Sequence, residues 1–182
     1  RSYSVTGVQT CALPICWTFA ALAGQQVRFE LVNVSADGVA FDLRGPNGPF
    51  GFTNLTGSSG PVNLPADGNY TLLAHSTGIA YDIAYAFRLV ETVPTDLTLG
   101  TAYSGYFSGS GQAQLFRIHL ANSGPVRITL ANDGANNQTE LYAARAAPPT
   151  RGVFDVSAVS GSGANRDILI PSAPAGTLYV LA

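Results

Sequence analysis

Charge is scarce in this chain, which has no lysine and no methionine. Its 182 residues include nine arginines and 11 aspartates and glutamates, for a net charge of −2. Scattered arginines without a basic cluster exclude the kind of surface that binds nucleic acid. No apolar run approaches the roughly 20 residues that a membrane-spanning helix needs. We therefore expect no nucleic-acid partner and no membrane span in this fragment.

Cysteine is confined to the first 16 residues, as Cys11 and Cys16. Residues 5–15 read VTGVQTCALPI, which resembles a translated reading frame of a sequencing adapter. We therefore expect residues 1–16 to be a non-native, adapter-derived artefact and exclude them from reasoning about the fold. The alternative is a genuine N-terminal strand followed by a hairpin. Without these cysteines the chain has no disulfide framework, zinc site or thiol nucleophile.

A strand-rich segment is present twice. Residues 17–31 (WTFAALAGQQVRFEL) align without a gap with residues 116–130 (FRIHLANSGPVRITL), 99 positions further on. A second match places residues 68–74 over residues 176–182, 108 positions apart. Two copies of one module are typical of a modular array. We therefore expect two tandem repeats.

Apolar residues alternate with other residues throughout the chain, the pattern of half-buried antiparallel strands. Turn signals rich in glycine, proline and asparagine separate these runs. The pattern predicts an all-β fold of two tandem antiparallel β-sandwich domains that are jelly-roll-like. The residues expected to form the core of the first domain are Trp17, Phe19, Val27, Phe29, Phe41, Leu43, Tyr70, Leu72, Tyr85 and Phe87.

The sequence also predicts the boundary between the repeats. Repeat 1 is expected over residues 17–91 and repeat 2 over residues 92–182, with residues 91–95 as a short linker. Residues 96–107 should supply one or two opening strands of repeat 2. We expect both repeats to be truncated: repeat 1 lacks its N-terminal strand, and repeat 2 lacks the closing strand that residues 81–90 provide in repeat 1.

The order of strands and turns resembles that of the bacterial pre-peptidase C-terminal (PPC-like) domain. The residues that carry the resemblance are Phe19, Gly24, Gln25, Val27, Phe41, Leu43, Gly45, Pro46, Gly48, Pro65, Gly68, Tyr70 and Leu72. Repeat 2 departs from the pattern, because residues 145–152 replace the Gly-Pro-Asn-Gly turn and Ser123-Gly124 replaces the Ala-Gly-Gln turn.

The resemblance implies a β-sandwich that is secreted or displayed at the cell surface. Such domains are appended to exported enzymes, often peptidases, or joined in large surface proteins, and some bind calcium or attach to insoluble substrate. We therefore expect non-catalytic accessory or spacer modules whose partners are neighbouring modules of the same chain. The alternative is a module that binds carbohydrate or extracellular matrix through the loops at the sandwich ends.

The sequence offers little for catalysis. The histidines, His75 and His119, belong to different repeats, and His119 lies between Ile118 and Leu120, so it should point outward from its strand. No Gly-x-Ser-x-Gly motif follows a strand and opens a helix. We expect no catalytic residues in this fragment, although a secreted peptidase or hydrolase outside it could carry these modules.

Two sets of residues are candidates for binding. Asp133, Asn136 and Asn137 lie in a loop that offers calcium one carboxylate together with amide and carbonyl oxygens. The same residues also favour a tight turn without a metal. The aromatic candidates for a glycan platform are Phe50, Phe52, Tyr103 and Tyr106. The alternative for loop aromatics is that they close the open end of the sandwich.

Overall fold

A computed structural model shows that the chain folds as mainly antiparallel β-sheet, with no helix in the part described. The described residues are 14–78, 82–107, 112–132, 139–159 and 165–182, together with the backbone of residues 2–9. They fall into two compact units, Arg1–Thr92 (unit 1) and Val93–Ala182 (unit 2). In the described residues no helix is long and apolar enough to cross a membrane.

Unit 1 is a β-sandwich of two four-stranded sheets. Its described strands are β1 (Ser2–Gln9), β2 (Ile15–Ala21), β3 (Gln26–Val34), β4 (Val39–Gly45), β5 (Gly48–Pro49), β6 (Val62–Asn63), β7 (Gly68–Ser76) and β8 (Ile83–Glu91). One sheet has the strand order β1-β8-β3-β6 and the other the order β2-β7-β4-β5. The all-β fold class predicted from the alternation of apolar residues is confirmed.

The core of unit 1 lies between these sheets and is dominated by aromatic rings. Phe29 on β3 is fully buried, with its ring centroid 4.7 Å from that of Phe41 on β4 and 5.3 Å from that of Phe87 on β8. Aromatic pairs at such distances add to the free energy gained by burying their apolar area. All ten core residues predicted from the sequence belong to this cluster; Trp17 and Phe19 lie at its partly buried margin.

Strand β1 forms the outer edge of its sheet by pairing its backbone antiparallel with β8. Strand β2 begins at Ile15, and Cys16 lies opposite Leu73 of β7. The border expected between residues 16 and 17 therefore falls inside a strand. Backbone pairing does not report where a segment originates, so the non-native origin of residues 1–16 stays a prediction.

Unit 2 packs a five-stranded sheet against a two-stranded one. Its described strands are β9 (Thr95–Leu97), β10 (Leu115–Leu120), β11 (Gly124–Leu130), β12 (Leu141–Ala144), β13 (Val156–Ala158), β14 (Arg166–Ala173) and β15 (Gly176–Leu181). The larger sheet has the order β13-β12-β15-β10-β9, and the smaller one pairs β11 with β14. Apolar residues of both sheets, including Ile118, Val126 and Ile168, share the core.

Strand pairing follows the same register in the two units. In unit 1 Phe19 of β2 lies opposite Tyr70 of β7, and in unit 2 Ile118 of β10 lies opposite Leu178 of β15. These are the positions that the two sequence alignments match, 99 and 108 residues apart. The sheet orders β2-β7-β4-β5 and β10-β15-β12-β13 also correspond strand for strand.

A glycine with positive φ opens both inner strands of these sheets. Gly68 begins β7 with φ +142°, and Gly176 begins β15 with φ +125°. Residues with a side chain rarely adopt this conformation, whereas glycine adopts it at no steric cost. The corresponding turns therefore enter their strands with the same unusual backbone geometry.

The opening segment of unit 2 is less regular than the sequence predicts. Only Thr95–Leu97 forms a strand, which pairs parallel with β10. Residues 98–107 form no strand, because Gly100, with φ +78°, closes a turn in which Thr101 N–H donates to the Thr98 carbonyl. The aromatic residues that follow are therefore presented from a coil.

Candidate functional site

The aromatic candidates of unit 1 pack against its core. Phe50 and Phe52 lie just after strand β5, and both are half-buried. The ring of Phe52 is 5.6 Å from that of Phe29, and the ring of Phe50 is 6.2 Å from that of Tyr70. These contacts leave only part of each ring for a ligand and seal one margin of the core.

The aromatic candidates of unit 2 are far more exposed. Tyr103 is 49% exposed and packs edge-on against Phe116 at 5.0 Å, while Tyr106 is 82% exposed. The Gln114 amide donates to the Tyr106 carbonyl at 3.0 Å and ties this coil to the sheet. The structure thus supplies an accessible aromatic surface in residues 103–107, in which Phe107 is also 37% exposed.

The calcium candidate Asp133, Asn136 and Asn137 lies outside the described residues. Nearby Glu140 accepts hydrogen bonds from the Tyr142 hydroxyl at 2.9 Å and from Arg151 Nε at 2.6 Å. Its carboxylate therefore already forms an ion pair. In the described part of the chain no three histidine, cysteine, aspartate or glutamate side chains gather into a potential metal site.

His119 points outward as predicted, whereas His75 joins a polar network on strands β4 and β7. Its Nε2 lies 3.2 Å from Asp42 Oδ1, and the same oxygen accepts the Asn54 N–H at 2.8 Å. Burial alone would raise the pKa of Asp42. The hydrogen bonds from the Asn54 N–H and the His75 ring together outweigh this effect, so the pKa of Asp42 lies below its ordinary value. Asn54 has a positive φ of +52°, and its bond to Asp42 holds the preceding loop against β4. We interpret this pair as a structural clamp.

The sequence could not reveal the His75–Asp42 pair, because the two residues are 33 positions apart. Ala40 rather than Asp42 lies directly opposite His75 in the sheet, so the contact is diagonal. Diagonal neighbours lie within reach of long side chains only once the strand register is fixed. The contact could have been predicted only if the pairing of β4 with β7 had been known.

A groove of about 460 Å³ opens at one margin of unit 1. Phe19, Val27 and Leu89 supply apolar walls, and Glu91 and Gln25 supply polar groups. The Gln25 amide donates to Glu91 Oε1 at 2.7 Å, so the two polar side chains satisfy each other. The sequence pattern assigns Phe19 and Val27 to the core and gives no sign of this groove.

One buried hydroxyl stands apart from these sites. The side chain of Tyr85 is 1% exposed, and its oxygen has no hydrogen-bond partner among the described residues. Burial raises the pKa of Tyr85 to about 12, so the phenol is neutral at physiological pH. Its ring packs 5.5 Å from Phe41 and 6.0 Å from Trp17, which places it in the core.

Comparison with protein-family models and with curated proteins finds no match to this chain.

Proposed function

We propose that the chain consists of two tandem, non-catalytic accessory or spacer modules of a larger secreted or surface bacterial protein. The observation that carries this proposal is the shared register of the strand pairs β2–β7 and β10–β15. A unit with its own hydrophobic core can in principle fold alone, and a tandem pair of such units can then act as a spacer between other domains. The resemblance to the pre-peptidase C-terminal domain supports the exported, bacterial setting.

The polar clusters of the described residues have structural explanations that agree with a spacer role. Asp42 and His75 hold the loop at Asn54, and Arg117 pairs with Asp96 at 2.6 Å across neighbouring strands. Each of these contacts joins residues of a single unit. A secreted peptidase or hydrolase carrying these modules would supply the chemistry from elsewhere.

Calorimetry of the full chain tests the modular part of the proposal. Two modules should give two transitions, and Phe29→Ala should lower the midpoint of one while leaving the other in place. The single tryptophan, Trp17, lies in unit 1 and identifies which transition belongs to it. A single transition that shifts as a whole would contradict independent modules.

A second candidate function is binding of polysaccharide or matrix, and the exposed coil of unit 2 favours it. Tyr106 is 82% exposed and Tyr103 49%, and flat aromatic rings are suitable platforms for sugar faces. Co-sedimentation with insoluble polysaccharide should then fall on Tyr106→Ala. Leu169→Ala is the matched control, because Leu169 is 60% exposed in the same unit. Equal sedimentation of both variants would refute this alternative.

A further inference from the structure

Strands β3 and β11, which correspond in sequence, differ in their neighbours. Strand β3 lies between β6 and β8, whereas β11 pairs with β14 alone among the described strands. Strand β14 stands in the place of β6, because Val126 lies opposite Ile170 as Val27 lies opposite Val62. The edge of β11 that corresponds to the β8 side of β3 therefore carries no strand in the described part of unit 2.

The strand pairing of unit 1 indicates which backbone groups of β11 point toward that edge. Phe29 exchanges two hydrogen bonds with Ser59, on the side away from β8, while the Gln26 carbonyl accepts the Thr92 N–H on the β8 side. Since these groups alternate along a strand, Arg28 and Glu30 face β8. Arg127 and Thr129 occupy the same positions in β11 and thus direct their N–H and C=O groups to the open edge.

Side-chain exposure agrees with this comparison. Phe29 is 0% exposed, whereas Ile128 at the matching position is only half-buried. The neighbouring arginines differ more, since the side chain of Arg28 is 20% exposed and that of Arg127 is 70% exposed. Apolar surface is thus more exposed along β11 than along β3, next to the edge toward which the main-chain groups of Arg127 and Thr129 are directed.

We propose that this edge of β11 binds an extended polypeptide segment, antiparallel, with apolar side chains at alternate positions. In unit 1 the strand that fills this place presents Leu89 opposite Phe29 and Phe87 opposite Leu31. A segment with the same pattern would place large apolar side chains over Ile128 and Leu130. Strand addition of this kind derives its affinity from main-chain hydrogen bonds and its specificity from the alternate side chains.

The chemistry of the segment differs from that of β8 in two respects. Pro125 occupies the position of Gln26 and has no N–H, so the bound segment finds an acceptor but no donor there. Thr129 replaces Glu30, which in unit 1 lies 3.8 Å from Arg88. The bound segment therefore needs no basic residue opposite Thr129.

The test uses the full chain and a synthetic capped peptide with the sequence of residues 83–91, IAYAFRLVE. Amide hydrogen exchange is followed by NMR at Arg127 and Thr129. With excess peptide, exchange at both amides should slow roughly tenfold or more, because their N–H groups become hydrogen-bonded. The apolar peptide side chains should at the same time shift the methyl resonances of Ile128 and Leu130.

Two methylated peptides serve as matched controls. N-methylation of the peptide residues equivalent to Arg88 and Val90 removes the donors that face the strand, and it should abolish protection. N-methylation at the equivalents of Phe87 and Leu89 blocks the other edge and should leave protection intact. Thr129→Pro removes a backbone donor from the open edge of β11, together with the bond from the Thr129 hydroxyl to Asp167 Oδ1 on β14, and it should weaken binding. Thr129→Val loses the same hydroxyl but keeps the backbone N–H, and it should bind the peptide as the parent does.

Three results would overturn the proposal. The first is unchanged exchange at Arg127 and Thr129 under a large excess of peptide. The second is equal protection by the two methylated peptides. The third is protection in the chain alone that rises with protein concentration, because a second copy's β11 would then occupy the edge. None of these results alters the registers on which the modular proposal depends.

Discussion

Strands β3 and β11 carry similar sequences in different surroundings. Val27-Arg28 in β3 matches Val126-Arg127 in β11, and Leu31 matches Leu130. In unit 1 the strand is covered by β8, and Phe29 is fully buried. In unit 2 the matching Ile128 is half-buried. Burial at this position is therefore decided by a strand more than 50 residues away along the chain, rather than by the strand's own sequence.

The arginines sharpen this contrast because the residue type is the same. Arg28 pairs with Glu30 and lies opposite Val90 of β8, with its side chain 20% exposed. Arg127 pairs with Asp167 of β14 at 2.8 Å, yet its side chain is 70% exposed. Exposed ion pairs contribute little to stability, whereas partly buried ones are screened less by salt. Arginine at matching positions thus contributes differently to the stability of the two units.

The largest effect is expected from truncating the matched core positions. Phe29→Ala should destabilise unit 1 by roughly 3–5 kcal/mol, because it leaves a cavity among Phe41, Phe52 and Phe87. Ile128→Ala should cost unit 2 less, about 1–2 kcal/mol, since its side chain is only half-buried. Urea unfolding followed by Trp17 fluorescence for unit 1 and by amide exchange for unit 2 measures both.

Leu169→Ala, at an exposed position of β14, is the control for unit 2 and should change stability little. Equal losses for Phe29→Ala and Ile128→Ala would show that β11 is as well covered as β3, and the contrast between the units would fail.

The second-largest loss of stability is expected from removing the Ser59 hydroxyl, which lies on the side of β3 away from β8. Ser59 accepts the Phe29 N–H through its hydroxyl at 2.9 Å and donates its own N–H to the Phe29 carbonyl. Ser59→Ala should therefore cost unit 1 about 1 kcal/mol, the usual net contribution of one hydrogen bond. In unit 2 the ladder with β14 performs this role, so Ser157→Ala, on β13, provides a serine control outside β11. A neutral Ser59→Ala would mean that water replaces the hydroxyl.

The stability of the two units should depend differently on acid at one matched position. Asp42 and Tyr142 correspond in the two sheets, since they lie opposite Leu73 and Leu181. Because the pKa of folded Asp42 lies below its ordinary value of 3.8, its contribution is complete above that value and is lost as the pH falls through the folded pKa. Asp42→Asn should lower the free energy of unfolding of unit 1 by about 1 kcal/mol at pH 7, and it should match the parent once the pH is below the folded pKa of Asp42.

The comparison is made by thermal unfolding at both pH values. An Asp42→Asn variant that retains the full acid sensitivity of the parent would show that other carboxylates dominate the acid response of unit 1.

The smallest effect is expected from the exposed ion pairs of unit 2. Hydrogen bonding to Arg127 lowers the pKa of Asp167, and hydrogen bonding to Arg117 lowers that of Asp96. A double-mutant cycle of Arg127→Gln and Asp167→Asn should give a coupling that is below the Asp42→Asn effect and that shrinks in 1 M salt, where the Debye length is about 3 Å. A coupling that is insensitive to salt would point to a buried pair.

The sequence predicted much of the fold because its signal is local. Alternation in residues such as Trp17, Phe19, Val27 and Phe29 placed the core of unit 1, and the confirmed cluster includes every residue expected there. Residues 98–107 were expected to add strand and do not, because a positive-φ glycine and a turn interrupt them. Polar contacts such as Asp42 with His75 depend on strand register, which one sequence does not specify.

Prediction of the candidate sites was less complete for the same reason. Tyr103 and Tyr106 are exposed as a ligand platform requires, while Phe50 and Phe52 pack on Tyr70 and Phe29. The two kinds of aromatic look alike in sequence, since both follow glycine-rich turns. Only the strands around them decide which rings remain accessible.

Unit 2 repeats the strand pairing of unit 1, but among the described strands β11 has no neighbour in the place that β8 takes beside β3. Residue-resolved amide exchange of the free chain tests it most directly. We expect slow exchange at Arg28 and Glu30, and exchange at Arg127 and Thr129 that is faster by at least about 100-fold. Ile128, which faces β14, should remain protected. Equal protection of Arg127 and Arg28 in dilute protein would show that this edge of β11 is already hydrogen-bonded.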